Sequence, residues 1–199
     1  MLLEQIKNYR LILASGSPRR RDLMKAVGFD FEVSPGYIPD ESYPGSLKGK
    51  EIPEYLARKK SEAYPYEIAI GEIVITADTV VCQDDEVLHK PASETEAAEI
   101  LRKISGNSHF VYTGVCLRSA LKMNTFVSST EVLFGPLSES EINYYIQNYK
   151  PFDKAGAYGI QEWIGFVGVE EIRGSYFNVM GLPVHRLYRE LEQMIQHNK

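Results

Sequence analysis

The chain has 199 residues, 44% of them hydrophobic and 25% charged, and a net charge of −5. A chain of that length buries roughly 70% of its unfolded surface, so one domain over residues 1–199, or two intimate lobes, needs no disulfide staple. The acidic balance argues against a nucleic-acid binder, which would carry a basic face, and no run approaches the ~20 apolar residues of a membrane helix. Cys82 and Cys116 show no metal-ligand spacing and read as buried thiols in a reducing compartment. His89, His109, His185 and His197 are scattered, so no zinc constellation is visible. Met1 to Lys7 lacks the long apolar core of a signal peptide, which places the expected protein in the cytoplasm.

In chain order, the elements alternate in the manner of a mixed α/β fold. Leu11-Ile12-Leu13-Ala14 reads as a strand feeding the turn Ser15-Gly16-Ser17. A helix then runs to Gly28, with Ser17 as its cap and Pro18 at its first position. Phe29 to Ser34 reads as a short strand, and Pro35 to Gly49 as a long loop carrying Asp40 and Glu41. Glu51 to Ala63 reads as a helix, and Ile73 to Ala77 as a buried strand with Asp78 at its end. Val80 to Lys90 reads as a hairpin turning at Asp84-Asp85. Ser93 and Glu96 predict a capping box for a helix whose stripe is Ala97, Ile100, Leu101 and Ile104.

Phe110 to Leu117 and Thr125 to Phe134 read as two long strands. Ser138 and Glu141 predict a second capping box, before a helix facing inward through Ile142, Tyr145, Ile146 and Tyr149. Pro151 to Gly159 is a glycine-bearing loop, Phe166 to Ile172 a strand turned by Arg173-Gly174, and Pro183 opens a last helix with Leu187, Tyr188, Leu191 and Ile195 on one face. No internal repeat or low-complexity segment is present.

Chemistry concentrates at four places. At Ser15 to Arg21, unpaired N–H groups of a helix start and guanidinium forks make a polyphosphate site plausible, the plainer alternative being a solvated basic helix start. Asp78, at a strand end, has the chemistry to activate water or to hold Mg²⁺, or simply to start a turn. Asp40 and Glu41 offer carboxylates to a hard cation. Lys59, Lys60, Lys90 and Lys154 offer positive charge, and small residues beside Lys154 permit either a close ligand or a tight turn. No Walker A loop, dinucleotide fingerprint or nucleophile elbow occurs.

Together these pieces resemble the Maf family of nucleoside triphosphate pyrophosphatases along nearly the whole chain. The carriers, in order, are Leu13-Ala14-Ser15-Gly16-Ser17-Pro18-Arg19-Arg20, Thr76-Ala77-Asp78-Thr79-Val80-Val81, Lys90-Pro91, Leu101-Arg102-Lys103-Ile104-Ser105-Gly106, Asp153-Lys154-Ala155-Gly156-Ala157-Tyr158-Gly159-Ile160-Gln161 and Val179-Met180-Gly181-Leu182-Pro183. The resemblance implies a mixed central sheet flanked by helices, with two lobes around a cleft, as in the inosine triphosphate pyrophosphatases. It implies hydrolysis between the α- and β-phosphates, a divalent metal (Mg²⁺ or Mn²⁺) and a homodimer.

By position, Asp78 matches the family's catalytic carboxylate. Ser15, Arg19, Arg20, Lys60, Lys90 and Lys154 match its phosphate-side and cleft residues, and Glu41 its acidic-loop metal ligand, with Asp40 the alternative one residue away. The subgroup acting on dTTP and UTP is the most similar, and its selectivity positions correspond to Arg19, Thr79 and Gln161. A glutamine amide offers a donor and an acceptor to a uracil or thymine edge. Glu162-Trp163 departs from the family, which more often has glycine after the glutamine. Two other readings use the same residues: the same chemistry on 7-methyl-GTP or another non-standard nucleotide, and a nucleotide-sensing regulator of cell division.

Overall fold

The computed structural model describes residues 1–34 and 40–196, so Pro35 to Pro39 of the long loop and His197 lie outside it. The described residues fall into two compact units, those within 1–78, 113–128 and 181–196, and those within 79–112 and 129–180. Each is taken in turn.

In the first unit, α1 (Leu2–Gln5) and a 3₁₀ turn precede β1 (Arg10–Leu13), whose last three residues are buried. The Ser15–Ser17 turn leads into α2 (Pro18–Val27), with Ser17 as cap and Gly28 ending it. β2 is only Glu32–Val33, shorter than the sequence predicts, because Phe29 leaves the strand path and stacks on Tyr188, ring centroids 6.1 Å apart. α3 (Glu51–Glu62) buries Ile52, Leu56, Ala57, Lys60 and Ser61.

The next strand, β3, is a single element from Glu72 to Gln83. Asp78 therefore lies within a strand rather than at its end, a correction to the sequence reading. β1 and β3 are parallel, paired from Arg10–Glu72 to Leu13–Ile75, and the Ala14 N–H donates to the Ile75 carbonyl at 2.9 Å. Asp78 thus stands three residues past the last ladder pair, on the side where β1 opens into its turn, so the reason for singling it out survives. The same unit holds α8 (Val184–Gln196), whose Leu187, Leu191, Met194 and Ile195 are buried.

The second unit receives the rest of β3 and turns at Asp84 and Asp85, both at positive φ (48° and 66°), into β4 (Glu86–Leu88). That is the geometry of a two-residue hairpin turn. α4 (Glu94–Ile104) begins at Ser93, whose hydroxyl accepts from the Glu96 N–H at 3.2 Å. The predicted box is half made, since the Glu96 carboxylate accepts from Ala92 instead. β5 (Ser108–Arg118) and β6 (Met123–Phe134) each run through both units. α5 (Glu139–Tyr149) carries a full capping box between Ser138 and Glu141.

After two 3₁₀ turns come α6 (Trp163–Gly168), β7 (Val169–Arg173) and α7 (Tyr176–Val179). The predicted strand from Phe166 is corrected here: Phe166 to Gly168 are helical, and the strand starts at Val169. Gly165 explains the difference, because a Cβ there would stand 1.9 Å from the Ile160 carbonyl oxygen. Only glycine lets the chain coil that tightly. Leu101, Ile104, Phe134, Ile142 and Tyr145 fill this unit's core, each large side chain contributing about 1.5–3 kcal/mol by leaving water.

The strand order is β2-β1-β3-β5-β6-β7, with β4 paired to β3. Parallel pairs at β1 and antiparallel pairs at β3–β4 and β6–β7 make the sheet mixed, with helices flanking it, as the sequence predicts. No helix among the described residues is long and apolar enough to cross a membrane.

Candidate active site

The first unit gathers charge around the β1–α2 turn. The Ser17 hydroxyl accepts from the Arg20 N–H at 3.5 Å, and the Ser15 hydroxyl accepts from the Ser17 N–H at 3.3 Å. Arg20 folds inward. Its Nε donates to the Gly181 carbonyl at 2.9 Å, and its Nη1 donates to the Ala77 carbonyl at 2.9 Å and to Ser15 Oγ at 3.2 Å. Arg20 thereby ties the turn to β3 and to the segment that starts α8. Burial lowers its pKa from the ordinary arginine value, against the opposing pull of Asp78 and Glu41. Arg19 is half-buried on the first turn of α2.

Lys60 projects from α3 into the same region. Its Nζ lies 2.6 Å from Asp78 Oδ1 and 2.8 Å from Glu41 Oε1. Lys60 is 5% exposed and Asp78 8%, so this ion pair is largely removed from solvent. Breaking one side of such a pair leaves a buried charge uncompensated, which costs about 3–5 kcal/mol.

The neighbouring residues separate the two acids of the loop. Lys59 Nζ donates to Asp40 Oδ2 and to the Ser42 carbonyl, both at 2.7 Å, and the Ser42 N–H and hydroxyl bond the same Asp40 carboxylate. Asp40's carboxyl is held well below the usual carboxylate range, first by Lys59 and then by Ser42. Consecutive lysines thus take consecutive acids, and Glu41 is the one that shares a cation with Asp78.

In the second unit, Lys154 is 8% exposed. Its Nζ lies 2.7 Å from Asp153 Oδ1 and 3.1 Å from Glu162 Oε1. The other Glu162 oxygen accepts from the Tyr145 hydroxyl, which in turn accepts from the Gly159 N–H at 3.0 Å. Burial, and then the bond to Glu162, push the Tyr145 phenol far above its usual range, so it stays a donor. A Cβ at Gly159 would stand 2.8 Å from Glu162 Cδ. The small residue there admits the protein's own carboxylate, which favours the tight-turn reading of this loop at that position.

Gln161 is half-buried, and its Oε1 is buried without a partner. An orphaned buried acceptor costs about 1–3 kcal/mol and asks for an explanation. Thr79 is half-buried in β3, and Lys90 is exposed beyond the end of β4. Trp163 packs edge-on against Tyr144, centroids 4.8 Å apart.

Of the sequence candidates, Ser15, Arg20, Glu41, Lys60 and Asp78 are linked in the first unit by the bonds above or by charge. Lys154 belongs to a network in the second unit. Two of its members were not singled out as functional: Tyr145, read as one more residue of a helical stripe, and Glu162, marked only by its departure from the family pattern. Among the described residues no group of three or more His, Cys, Asp or Glu side chains gathers as a metal cluster.

Over residues 10–194 the sequence matches the Maf-like protein family, and the chain belongs to that family. It is 51% identical over 193 residues to a dTTP/UTP pyrophosphatase of Bacteroides fragilis, covering 97% of this chain and 100% of that one. It is 52% identical over 195 residues to a protein of the same name from Phocaeicola vulgatus, with 97% and 100% covered. A third of that name, from Porphyromonas gingivalis, is 45% identical over 201 residues, with 99% and 100% covered. A solved dITP/XTP pyrophosphatase from Mycobacterium abscessus aligns at 11% identity and a TM-score of 0.41, covering 93% of this chain and 98% of that one, too distant a likeness to carry an argument.

Proposed function

We propose that the protein hydrolyses dTTP and UTP, and modified pyrimidine triphosphates, to the nucleoside monophosphate and pyrophosphate. The observation that carries the reading is the Asp78–Lys60–Glu41 group beside the β1–α2 turn: a buried carboxylate, a second carboxylate and positive charge at a helix start. Near-complete alignment with relatives named for this activity supports the choice of substrate.

The donor set fits a divalent cation. Two carboxylates already converge on one positive centre, and a hard cation at phosphate sites takes one or two carboxylates and completes its shell with water and phosphate oxygens. Glu41 and Asp78 would hold Mg²⁺ or Mn²⁺, which supplies charge neutralisation on the phosphates. Asp78 accepts the proton of a water whose oxygen bonds the α-phosphorus, while the bond from that phosphorus to the bridging oxygen breaks and pyrophosphate leaves with the electron pair. The turn N–H groups, Arg19 and Lys60 offset charge on the departing phosphates, and Arg20 keeps the turn in place. Lys90 and Lys154 match the family's phosphate-side and cleft residues by position in the sequence, and Thr79 sits beside Asp78 in sequence as a base-selecting position.

Gln161 supports selection of the base. Its orphaned Oε1 accepts the N3–H that thymine and uracil present and cytosine lacks. Gln161→Leu is expected to narrow the preference for dTTP and UTP over CTP by about tenfold, one missing hydrogen bond's worth. We further propose a cytoplasmic homodimer that takes no nucleic-acid partner. The test is pyrophosphate release across dTTP, UTP, CTP, GTP and 7-methyl-GTP. Turnover led by dTTP and UTP is expected, and a lead for 7-methyl-GTP contradicts the reading.

A further inference from the structure

Lys60 stands between the two carboxylates that would hold a metal. Its ammonium is bound to Asp78 Oδ1 at 2.6 Å and to Glu41 Oε1 at 2.8 Å, and it is 5% exposed. Arg20 donates to the carbonyl of Ala77, the residue before Asp78, and so brings a second positive charge to this end of the strand. Arg19 adjoins Arg20 in the same turn, so the two acids already face more than one cation. A divalent cation that takes the two acids alone leaves these positive charges uncompensated, and Lys60 is poorly solvated. A triphosphate removes that obstacle, because it brings several negative charges and oxygens that accept from an ammonium.

We propose that Lys60 is an internal counter-cation: it occupies Asp78 and Glu41 in the free enzyme, and passes to a phosphate oxygen when metal and triphosphate bind together. This rests on Asp78 and Glu41 being the metal ligands. The consequence is that the free enzyme binds metal weakly and that nucleotide and metal raise each other's affinity, as linkage requires. Lys59 does not share this role, since Asp40 and Ser42 hold it on the loop.

The test is Mn²⁺ binding to the whole chain without nucleotide, followed by the spin-resonance signal of free Mn²⁺. Lys60→Met removes the competing charge and is expected to bind Mn²⁺ at least about tenfold more tightly than the unaltered protein. Lys60→Arg keeps the charge and is expected to stay weak. Lys60→Gln, which leaves a neutral donor for Asp78, is run beside Lys60→Met with the same expectation, in case burial of an unpaired Asp78 impairs folding. Adding Asp78→Asn to Lys60→Met is expected to abolish the gain. Neutral variants that bind Mn²⁺ within about twofold of the unaltered protein overturn the proposal. If Asp78→Asn also leaves Mn²⁺ binding unchanged, the placement of the metal falls with it, whereas a loss there leaves the ligands standing and removes only the role of Lys60.

Discussion

The two units bury polarity in opposite ways. The first buries an ion pair, Lys60 against Asp78, which the exposed Glu41 joins from the loop, with Arg20 clamped on carbonyls and Ser15. The second mostly buries neutral hydrogen-bonding rings: His109 Nε2 meets the Tyr158 hydroxyl at 2.7 Å, and Tyr145 braces Glu162. Burial pushes His109 down to about 4 and Tyr158 far above its usual range, so both stay uncharged at neutral pH. Paired ions can exchange partners with a charged ligand. Neutral rings in a packed core hold a shape, and here that shape fixes Glu162 against Lys154.

The largest expected effect breaks the ionic side of this contrast. Asp78→Asn is expected to fold and to lose turnover by about 10²–10⁴, the scale of a general base. A melting curve and steady-state rates check it, and near-normal turnover removes Asp78 from the reaction.

His109 tests the neutral side. Its folded pKa of about 4 lies below the ordinary 6.5, so between those values the unfolded chain binds a proton that the folded chain refuses. Its contribution is intact above pH 6.5 and is lost as pH falls towards 4, by up to about 3 kcal/mol. Urea unfolding at several pH values is expected to show a flatter profile for His109→Phe than for the unaltered protein across that window. Identical slopes would show that His109 is not the group titrating.

Tyr145→Phe sharpens the same side. It removes the donor to Glu162 and the acceptor of the Gly159 N–H, with an expected loss of about 1–3 kcal/mol in unfolding free energy. If Lys154 binds phosphate, KM for dTTP rises more than kcat falls, and an unchanged KM assigns the network to stability alone.

The smallest contrast lies within the acidic loop. Glu41→Gln is expected to lower kcat/KM by about tenfold, the scale of one charged contact, whereas Asp40→Asn changes it by less than about twofold, as is usual at an exposed ion pair. The reverse ranking, measured on dTTP, would make Asp40 the ligand.

How much was legible in the sequence follows the same division. The β1 turn, Ser17 cap and Pro18 were readable because their signals are local. The Asp84-Asp85 hairpin was readable for the same reason. Asp78 was found by its motif, although the strand around it is longer than its apolar run suggests. Which of Asp40 and Glu41 meets Lys60 was not readable, because it depends on which lysine of α3 each acid reaches across 19 residues of chain. Tyr145 looked like core because its ring is core, and only its hydroxyl is spent on Glu162. The helix at Trp163–Gly168 was hidden by an apolar run that alternates like a strand, with Phe166 and Val167 exposed once folded.

The central claim is that water attacks the α-phosphorus and pyrophosphate is the leaving group. Hydrolysis of dTTP in ¹⁸O-labelled water, with the products separated and weighed by mass spectrometry, tests it most directly. The account predicts dTMP carrying the label and unlabelled pyrophosphate, and label in pyrophosphate, or dTDP with orthophosphate as products, would contradict it.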